Sequence, residues 1–285
     1  MKIPARLLPL MEDGLVDEVL SRLMSGKEAD VFVVRCGQEI RCAKVYKEAT
    51  RRGFKQAARY QEGRKDRSSR RARAMEKGSR FGRQQQEETW QTHEVNTLRK
   101  LFAAGIRVPV PYSCVDGVLL MELIRDASGD VAPRLADVML TAAEAERDHG
   151  QMMSYLMQML QAGVVHGDLS EFNVLQDAEG PVIIDLPQAI DAAANNNAPE
   201  MFARDVNNMT AFYSTFAPAL ADTRYAEEIW ALYESGRLHA NTRLTGKFER
   251  NEVAADVGLV MQEINAAIEE ESERQTRLRE AELPD

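Results

Sequence analysis

The pattern of apolar and polar positions predicts β-strands in the first half of the chain and helices in the second. Two short runs, 31–34 and 40–46, are rich in β-branched and aromatic residues and flank a turn at Gly37. They predict a β-hairpin. The run 118–124 is apolar apart from Glu122 and predicts a buried strand. Strands are therefore expected to dominate the first part of the fold.

Helical periodicity appears in five segments: 84–101, 142–161, 200–216, 224–235 and 250–279. The methionines of 142–161 are predicted to be ordinary core residues. Strands followed by helices are typical of an α+β protein, here with two lobes. We predict a small β-rich N-lobe over 1–124 and a helical C-lobe over 125–245, joined by the polar linker 125–130. An acidic helix in 246–285 is either a solvated face or a partner-docking element.

The charge of the chain is strongly uneven. The formal net charge is −9, yet residues 51–83 contain 13 Lys and Arg against 3 Asp and Glu, so this basic segment carries +10 and the remainder −19. Binding to nucleic acid is therefore expected of the basic segment alone. The segment has little apolar periodicity and is predicted to be mobile or only partly helical.

Other features of the composition exclude several classes of protein. No apolar run approaches the ~18–20 residues of a membrane span, and residues 1–11 lack the basic start and long apolar centre of a secretory signal. Cys36, Cys42 and Cys114 are scattered without CxxC spacing, which argues against a disulfide framework or a zinc site. We expect a cytoplasmic protein with reduced cysteines and no membrane association.

The most informative stretch of the sequence lies between residues 164 and 185. An apolar pair precedes a tight loop that carries Asp168, and Asn173 follows five residues later. A second apolar run then leads to Asp185. An Asp that accepts a hydroxyl proton, followed by an Asn and an Asp that hold Mg²⁺, is the set of groups used in kinase-type phosphoryl transfer. A lone His-Gly-Asp would be weak evidence, but the whole set is specific.

The first part of the chain offers groups that would complete a nucleotide site. Lys44 lies on the second strand of the predicted hairpin, where a lysine can contact the α- and β-phosphates. Glu94 is its predicted partner through a charge-assisted hydrogen bond, with Glu87 and Glu88 as competing candidates. The loop 25–30 could cover the phosphates, although its one glycine makes it neither a Walker loop nor a GxGxxG motif. His166 is predicted to orient the loop backbone.

Four motifs together resemble the RIO family of atypical serine protein kinases, most closely its first subfamily. They are Ser25-Gly26-Lys27-Glu28-Ala29, Met121-Glu122-Leu123-Ile124, His166-Gly167-Asp168-Leu169-Ser170-Glu171-Phe172-Asn173 and Ile184-Asp185-Leu186-Pro187-Gln188. The similarity covers residues 15–220. It implies a trimmed two-lobed protein-kinase fold without a conventional activation loop. Lys44 and Asp168 would then be catalytic, with Glu94 the partner of Lys44.

The resemblance also implies the ligands of the site. Asn173 and Asp185 would hold Mg²⁺, with Mn²⁺ as the alternative metal. The backbones of Glu122 and Ile124 would bind the adenine of ATP, with Met121 behind them. The residues that would cover the phosphates are Ser25, Gly26, Lys27, Glu28 and Ala29.

The activity implied is that of an ATP- and Mg²⁺-dependent serine protein kinase, an ATPase of the same fold, or both. Its partners would be a protein substrate with a serine and a maturing small ribosomal subunit or its RNA, approached through the basic segment. That segment corresponds to the family's flexible loop, where autophosphorylation is found, and Ser68, Ser69 and Ser79 are candidate acceptors.

Two other functions remain open. Gly167 stands where protein kinases have Arg and where many RIO members have Ala, and His-Gly-Asp also resembles small-molecule kinases of the aminoglycoside and choline type. The residues between Asp168 and Asn173 argue against that class. The second alternative is a non-catalytic scaffold that binds nucleotide, and the intact set Lys44, Asp168, Asn173 and Asp185 argues against it.

Overall fold

A five-stranded antiparallel sheet forms the first part of the fold, with strand order β1-β2-β3-β5-β4. The computed structural model describes residues 3–47, 80–239 and 241–249, and of residues 80–91 the backbone alone. The strands are β1 Glu18–Ser25, β2 Ala29–Cys36, β3 Glu39–Tyr46, β4 Pro111–Val115 and β5 Val118–Glu122. A short helix, α1 (Leu8–Glu12), precedes them.

The predicted hairpin is present as β2 and β3, which pair in unbroken register from Ala29 opposite Tyr46 to Cys36 opposite Glu39. Its turn passes through Gly37, whose φ of 62° lies in the left-handed region that glycine enters without strain. Phe32 on β2 lies directly opposite Ala43 on β3, and paired residues of neighbouring strands have their side chains on the same face of the sheet. There Phe32 and Ala43 belong to a core cluster formed with α1.

Two edge strands were not predicted from the sequence. β1 is exposed over most of its length, and its pairing with β2 is interrupted by two register shifts. Neither face of β1 therefore carries a regular apolar pattern. β4 begins at Pro111 at the other edge of the sheet. Proline is tolerated at an edge because no neighbouring strand needs its missing N–H. The strand predicted over 118–124 corresponds to β5.

Among the residues that the structure describes, four longer helices are present: α2 Arg80–Ala103, α3 Ala142–Gln161, α4 Ala198–Ser214 and α5 Tyr225–Glu234. α3 has the predicted bounds because both of its ends are marked in the sequence. Thr141 and Glu144 form a capping box at its start, and Gly163, with a φ of 68°, follows its end. The predicted helix over 250–279 and residues 51–79 of the basic segment lie outside the described residues.

Two small antiparallel sheets lie between α3 and α4. They are formed by β6 Val164–Val165 with β9 Ile190–Asp191, and by β7 Val174–Gln176 with β8 Pro181–Ile183. The methionines of α3 are buried beside them in the main core, as predicted. The α+β class is confirmed: an antiparallel sheet comes first and a helical part follows. The lobe boundaries proposed at 124 and 245 stay predictions.

Backbone contacts group residues 1–247 into one compact unit, and the site described below lies within it. Among the helices of the described residues, none is long and apolar enough to cross a membrane.

His149 provides a test of the packing in the helical part. It is buried between the rings of Tyr213 and Tyr225, with centroid distances of 5.8 and 5.4 Å. Its Nε2 lies 3.0 Å from the hydroxyl of Thr210. Burial lowers the pKa of His149 from 6.5 to about 4, so the unfolded chain takes up a proton at a higher pH than the folded protein. Stability is then fully present above 6.5 and falls as the pH drops toward 4.

We predict that His149→Gln removes this pH dependence, which amounts to at most about 3 kcal/mol. The free energy of unfolding should be measured by urea titration at several pH values for both proteins. The other titrating groups are the same in the two proteins, so their effects cancel in the difference between the two free energies of unfolding. This difference should become smaller as the pH falls. Parallel pH profiles would show that folding does not change the pKa of His149.

Candidate active site

A buried lysine brings the sheet and the helical part of the fold together. The Lys44 Nζ on β3 lies 2.6 Å from the Oε1 of Glu94 on α2 and 2.7 Å from the Oδ1 of Asp185, which follows β8. These residues are far apart in sequence, so only the folded chain places them in contact. The structure therefore brings together three of the side chains that the sequence indicated.

The charges of this cluster stabilise one another. Burial alone would lower the pKa of Lys44, but the carboxylates of Glu94 and Asp185 outweigh it and raise the pKa. For Asp185, burial would raise the pKa, and the Lys44 ammonium outweighs that effect and lowers it. Lys44 and Asp185 are therefore both ionised at neutral pH. The Asp185 side chain is 45% exposed, so this carboxylate can still reach a ligand.

Tyr46 completes the partners of Glu94 and was not identified from the sequence. Its hydroxyl donates to the Oε2 of Glu94 at 2.6 Å, while Oε1 contacts Lys44. Tyr46 lies two residues after Lys44 on the same strand, so both side chains share a face. The spacing of two residues between Lys44 and Tyr46 was the signal in the sequence that could have identified Tyr46. The helix residue before Glu94, His93, places its Nε2 2.7 Å from the carbonyl of Ala189, which links α2 to the segment after Asp185.

The loop that carries Asp168 is held by His166. The Nδ1 of His166 accepts from the backbone N–H of Asp168 at 3.3 Å, and its Nε2 lies 3.1 Å from the carbonyl of Ile184. This pattern assigns the proton to Nε2, which donates to that carbonyl. His166 therefore joins the Asp168 loop to the residue before Asp185, in agreement with the orienting role predicted for it.

A buried carboxylate beneath the same loop was missed by sequence reasoning. Asp205 on α4 accepts from the backbone N–H of Gly167 at 2.7 Å and from that of Leu169 at 2.9 Å, one on each oxygen. Burial raises the pKa of Asp205 to about 6. Arg204 and Asn208 donate to the carbonyls of Gly167 and Leu169 respectively. Charged and amide residues on a helix face that packs inward were the clue in the sequence.

The backbone conformation of residue 167 explains why a glycine stands where protein kinases have Arg. Its φ is 81°, in the left-handed region that favours glycine. Asp185 also has a positive φ, 65°, which is uncommon for a residue with a side chain. Such strain occurs where the surrounding structure fixes a functional group. Here the contact with Lys44 fixes the carboxylate of Asp185.

Asp168 follows β6, Asn173 directly precedes β7 and Asp185 follows β8. The amide Nδ2 of Asn173 donates to the carbonyl of Asp168 at 2.7 Å, which leaves its Oδ1 as an available oxygen. The backbone N–H of Ile184 donates to the carbonyl of Asn173 at 3.0 Å, so the segments before Asp185 and around Asn173 are joined. The residue Asp168 is exposed to solvent overall, but its carboxyl group is partly desolvated by the surrounding protein, and this desolvation together with the charge of Asp185 raises its pKa.

The oxygen groups of this cluster suit a hard divalent cation. No group of three or more His, Cys, Asp or Glu side chains that could hold a metal ion occurs in the described part of the chain. Mg²⁺, however, is commonly bound by one or two protein oxygens together with phosphates and water. Asn173 and Asp185 fit that requirement. Their role as ligands remains a prediction.

The predicted phosphate-covering residues form the turn between β1 and β2. The backbone N–H of Gly26 donates to the carbonyl of Ala29 at 2.9 Å, and that of Lys47 donates to the carbonyl of Glu28 at 2.8 Å. The Nζ of Lys47 donates to the carbonyl of Gly26 at 2.7 Å. A Cβ at Gly26 would lie 3.3 Å from the Ala29 carbonyl oxygen, so glycine suits this close approach. The side chains of Ser25 and Lys27 are exposed.

The predicted adenine-binding residues lie at the end of β5. Met121 and Glu122 are its last two residues, and Ile124 follows as a buried residue whose carbonyl accepts from the N–H of Ala132 at 3.0 Å. This segment leads from the sheet into the helical part of the fold.

Comparison with known proteins identifies the family. Residues 30–226 match the family model described as RIO domain. The chain belongs to the RIO domain family. The resemblance inferred from the motifs is thereby confirmed, and the RIO domain includes Lys44, Glu94, Asp168, Asn173 and Asp185.

Several relatives of this RIO domain are named as kinases. The RIO-type serine/threonine-protein kinase Rio1 of Haloferax volcanii is 33% identical over 214 residues, which cover 73% of this chain and 68% of that protein. The serine/threonine-protein kinase RIO1 of Homo sapiens is 30% identical over 221 residues, 76% of this chain and 37% of the relative. That of Chaetomium thermophilum is 28% identical over 222 residues, 73% of this chain and 41% of the relative. The chain thus matches less than half the length of the two eukaryotic proteins.

We predict that Tyr46→Phe destabilises the RIO domain by about 1–3 kcal/mol, because it leaves a buried carboxylate oxygen of Glu94 without its donor. Tyr112→Phe is the matched control, since Tyr112 is 42% exposed. Urea unfolding monitored by circular dichroism measures both changes. Equal stability of the two variants would show that the hydroxyl of Tyr46 does not stabilise Glu94.

We further predict that Asp205→Asn loosens the Asp168 loop of the RIO domain. An asparagine can accept with one oxygen only, so either Gly167 or Leu169 loses its acceptor, at a cost of about 1–3 kcal/mol. Asp191→Asn is the control, because Asp191 accepts two backbone N–H groups on a single oxygen, which asparagine retains. Amide hydrogen exchange should accelerate at Gly167 or Leu169 in the first variant. Unchanged protection at both amides would contradict this role of Asp205.

Proposed function

We propose that this chain is an ATP-dependent serine/threonine protein kinase of the RIO type that uses a divalent cation, with Mg²⁺ as the expected ion. The observation that carries the proposal is the contact of the Lys44 ammonium with both Glu94 and Asp185, at 2.6 and 2.7 Å. An active protein-kinase site requires an ion pair between a strand lysine and a helix glutamate, and a separate aspartate that binds Mg²⁺. The family and the names of the relatives support the same activity.

The nucleotide would lie between the turn Ser25–Ala29 and the segment around Asp185. Lys44 would contact the α- and β-phosphates, and the backbone of the turn would cover the phosphate chain. The backbones of Glu122 and Ile124 would bind adenine, with Met121 behind them. Because the carbonyl of Ile124 already accepts from Ala132, its N–H is the group that we assign to adenine.

Asn173 and Asp185 would hold the divalent cation through Asn173 Oδ1 and the Asp185 carboxylate. A bound cation supplies charge neutralisation for the phosphates that are transferred. The donation from Asn173 to the Asp168 carbonyl keeps its oxygen available, and the ionised state of Asp185 at neutral pH favours a cation. Mn²⁺ has similar ligand preferences and is the alternative ion.

Asp168 would accept the proton of the attacking serine hydroxyl. It stands on a loop whose backbone is fixed by His166 and Asp205, and its side chain is exposed, so a substrate protein can approach it. The same exposure admits water, which makes ATP hydrolysis a second activity of the same site. Positioning of the acceptor and neutralisation of charge would contribute most of the rate enhancement.

We also propose that the partner of this kinase is a ribosomal particle or its RNA, and that it acts in the cytoplasm. The support comes from the sequence: residues 51–83 carry a charge of +10 on a chain whose net charge is −9, and a basic segment can bind RNA phosphates. Pull-down from lysate with and without Mg·ATP, scored for small ribosomal subunits, tests this part of the proposal.

We predict that Asp168→Asn lowers phosphoryl transfer by a factor of about 10²–10⁴, the usual contribution of a positioned acid or base, while binding of ATP is retained. Asp185→Asn should weaken the binding of Mg·ATP as well as turnover, because it removes a charged ligand. Asp116→Asn is the control, since Asp116 is exposed in a turn with a φ of 48°, a conformation that asparagine also adopts.

Release of labelled phosphate and transfer to serine should both be measured for the purified chain. Unchanged turnover in Asp168→Asn and Asp185→Asn would contradict the roles assigned to these residues. Turnover stimulated by aminoglycosides or choline, without transfer to protein serine, would instead indicate a small-molecule phosphotransferase.

A further inference from the structure

Arg107 connects two parts of the proposed nucleotide site that are distant in sequence. It lies between α2 and β4, and its Nη1 contacts the Oε2 of Glu122 at 3.1 Å while its Nη2 contacts the Oδ2 of Asp177 at 2.9 Å. Glu122 is the last residue of β5, where adenine is proposed to bind. Asp177 lies in the turn between β7 and β8, and β8 leads to Asp185.

Both carboxylates are held in place by further hydrogen bonds. The Oδ1 of Asp177 accepts from the N–H groups of Glu179 and Gly180 at 2.7 and 3.0 Å, and its side chain is 7% exposed. The Oε2 of Glu122 also accepts from the N–H of Val110 at 3.1 Å. Neither carboxylate can therefore move freely toward another partner when Arg107 is changed.

The backbone of Arg107 adds a third connection. Its carbonyl accepts from the N–H of Ile183 at 3.0 Å, and Ile183 ends β8, two residues before Asp185. One residue thus contacts the strand that would bind adenine through its side chain and the strand that precedes the metal ligand through its main chain. The planar guanidinium fork can serve two carboxylates at once, which a lysine ammonium does less well.

We infer that Arg107 is a positioning residue for nucleotide binding: it sets the adenine-binding end of β5 relative to β8 and hence to Asp185. The inference rests on the proposed function, because it assumes that adenine binds at Glu122 and Ile124. Without the guanidinium, two carboxylates would face each other without a cation, and repulsion would shift β5 away from the β7–β8 turn. Adenine would then lose its alignment while the phosphate groups keep theirs.

The test compares nucleotides with a ligand that has no adenine. Dissociation constants for Mg·ATP, Mg·ADP and Mg·tripolyphosphate should be measured by calorimetry for the wild type, Arg107→Gln, Arg107→Lys and Asp177→Asn. Asp177→Asn keeps an Oδ1 acceptor for the turn but presents an N–H toward Arg107. Arg35→Gln is the control, because Arg35 forms an exposed ion pair with Glu18 on the edge of the sheet.

We expect Arg107→Gln to weaken both adenine nucleotides about five- to tenfold, as a modest misplacement of a binding group does, with tripolyphosphate unchanged. Arg107→Lys should recover part of the loss. Asp177→Asn should act in the same direction although it lies outside the adenine site. A double variant, Arg107→Gln with Asp177→Asn, should lose less affinity than the sum of the two single losses, because the two residues act through one contact. In Arg107→Gln, kcat, which is measured at saturating ATP, should change much less than the KM for ATP.

Two outcomes would overturn the inference. Unchanged affinity for ATP and ADP in Arg107→Gln, together with a lower Tm, would show that the contact only stabilises the fold. Equal weakening of tripolyphosphate would show a general loss of the site rather than of adenine alignment. Failure of the wild type to bind Mg·ATP would instead contradict the proposed function itself, which separates the two cases.

Discussion

The site depends on one buried cation, the Lys44 ammonium, and on the two carboxylates that share it. Desolvation of a charge costs several kcal/mol per ion, and removal of one partner from a buried pair costs about 3–5 kcal/mol. The side chains of Lys44 and Glu94 are only 10% and 5% exposed. Neither side chain could therefore stay charged and buried without the other. This requirement holds α2 against the sheet and holds Asp185 in a strained backbone conformation. Burial of Lys44 therefore requires the arrangement of charged groups found at the proposed nucleotide site.

The remaining contacts fix backbone segments around this cluster. His166 joins the Asp168 loop to the segment before Asp185, and Asp205 holds the same loop from α4 below. Arg107 connects the end of β5 to the β7–β8 turn. All three contact main-chain groups or side chains of neighbouring segments, and the roles proposed for them are in positioning. This division is typical of phosphoryl transfer, in which rigid placement and charge account for most of the catalysis.

Much of the fold could be predicted because its elements carry local patterns. The hairpin β2–β3 follows from alternation around Gly37, and α3 from its capping box and following glycine. β1 and β4 could not be predicted, since one is exposed on both faces and the other begins with a proline. Asp168, Asn173 and Asp185 have a characteristic spacing, whereas the partners Tyr46, Asp205 and Arg107 become apparent only when tertiary packing brings distant segments together.

The most direct measurement is a crystal structure of this chain with a non-hydrolysable ATP analogue and Mg²⁺. The account predicts Mg²⁺ bound by Asn173 Oδ1 and the Asp185 carboxylate, with the Lys44 Nζ within hydrogen-bonding distance of a phosphate oxygen. It also predicts that the contact between Lys44 and Glu94 is retained. A nucleotide bound elsewhere, or Mg²⁺ held without Asp185, would contradict it.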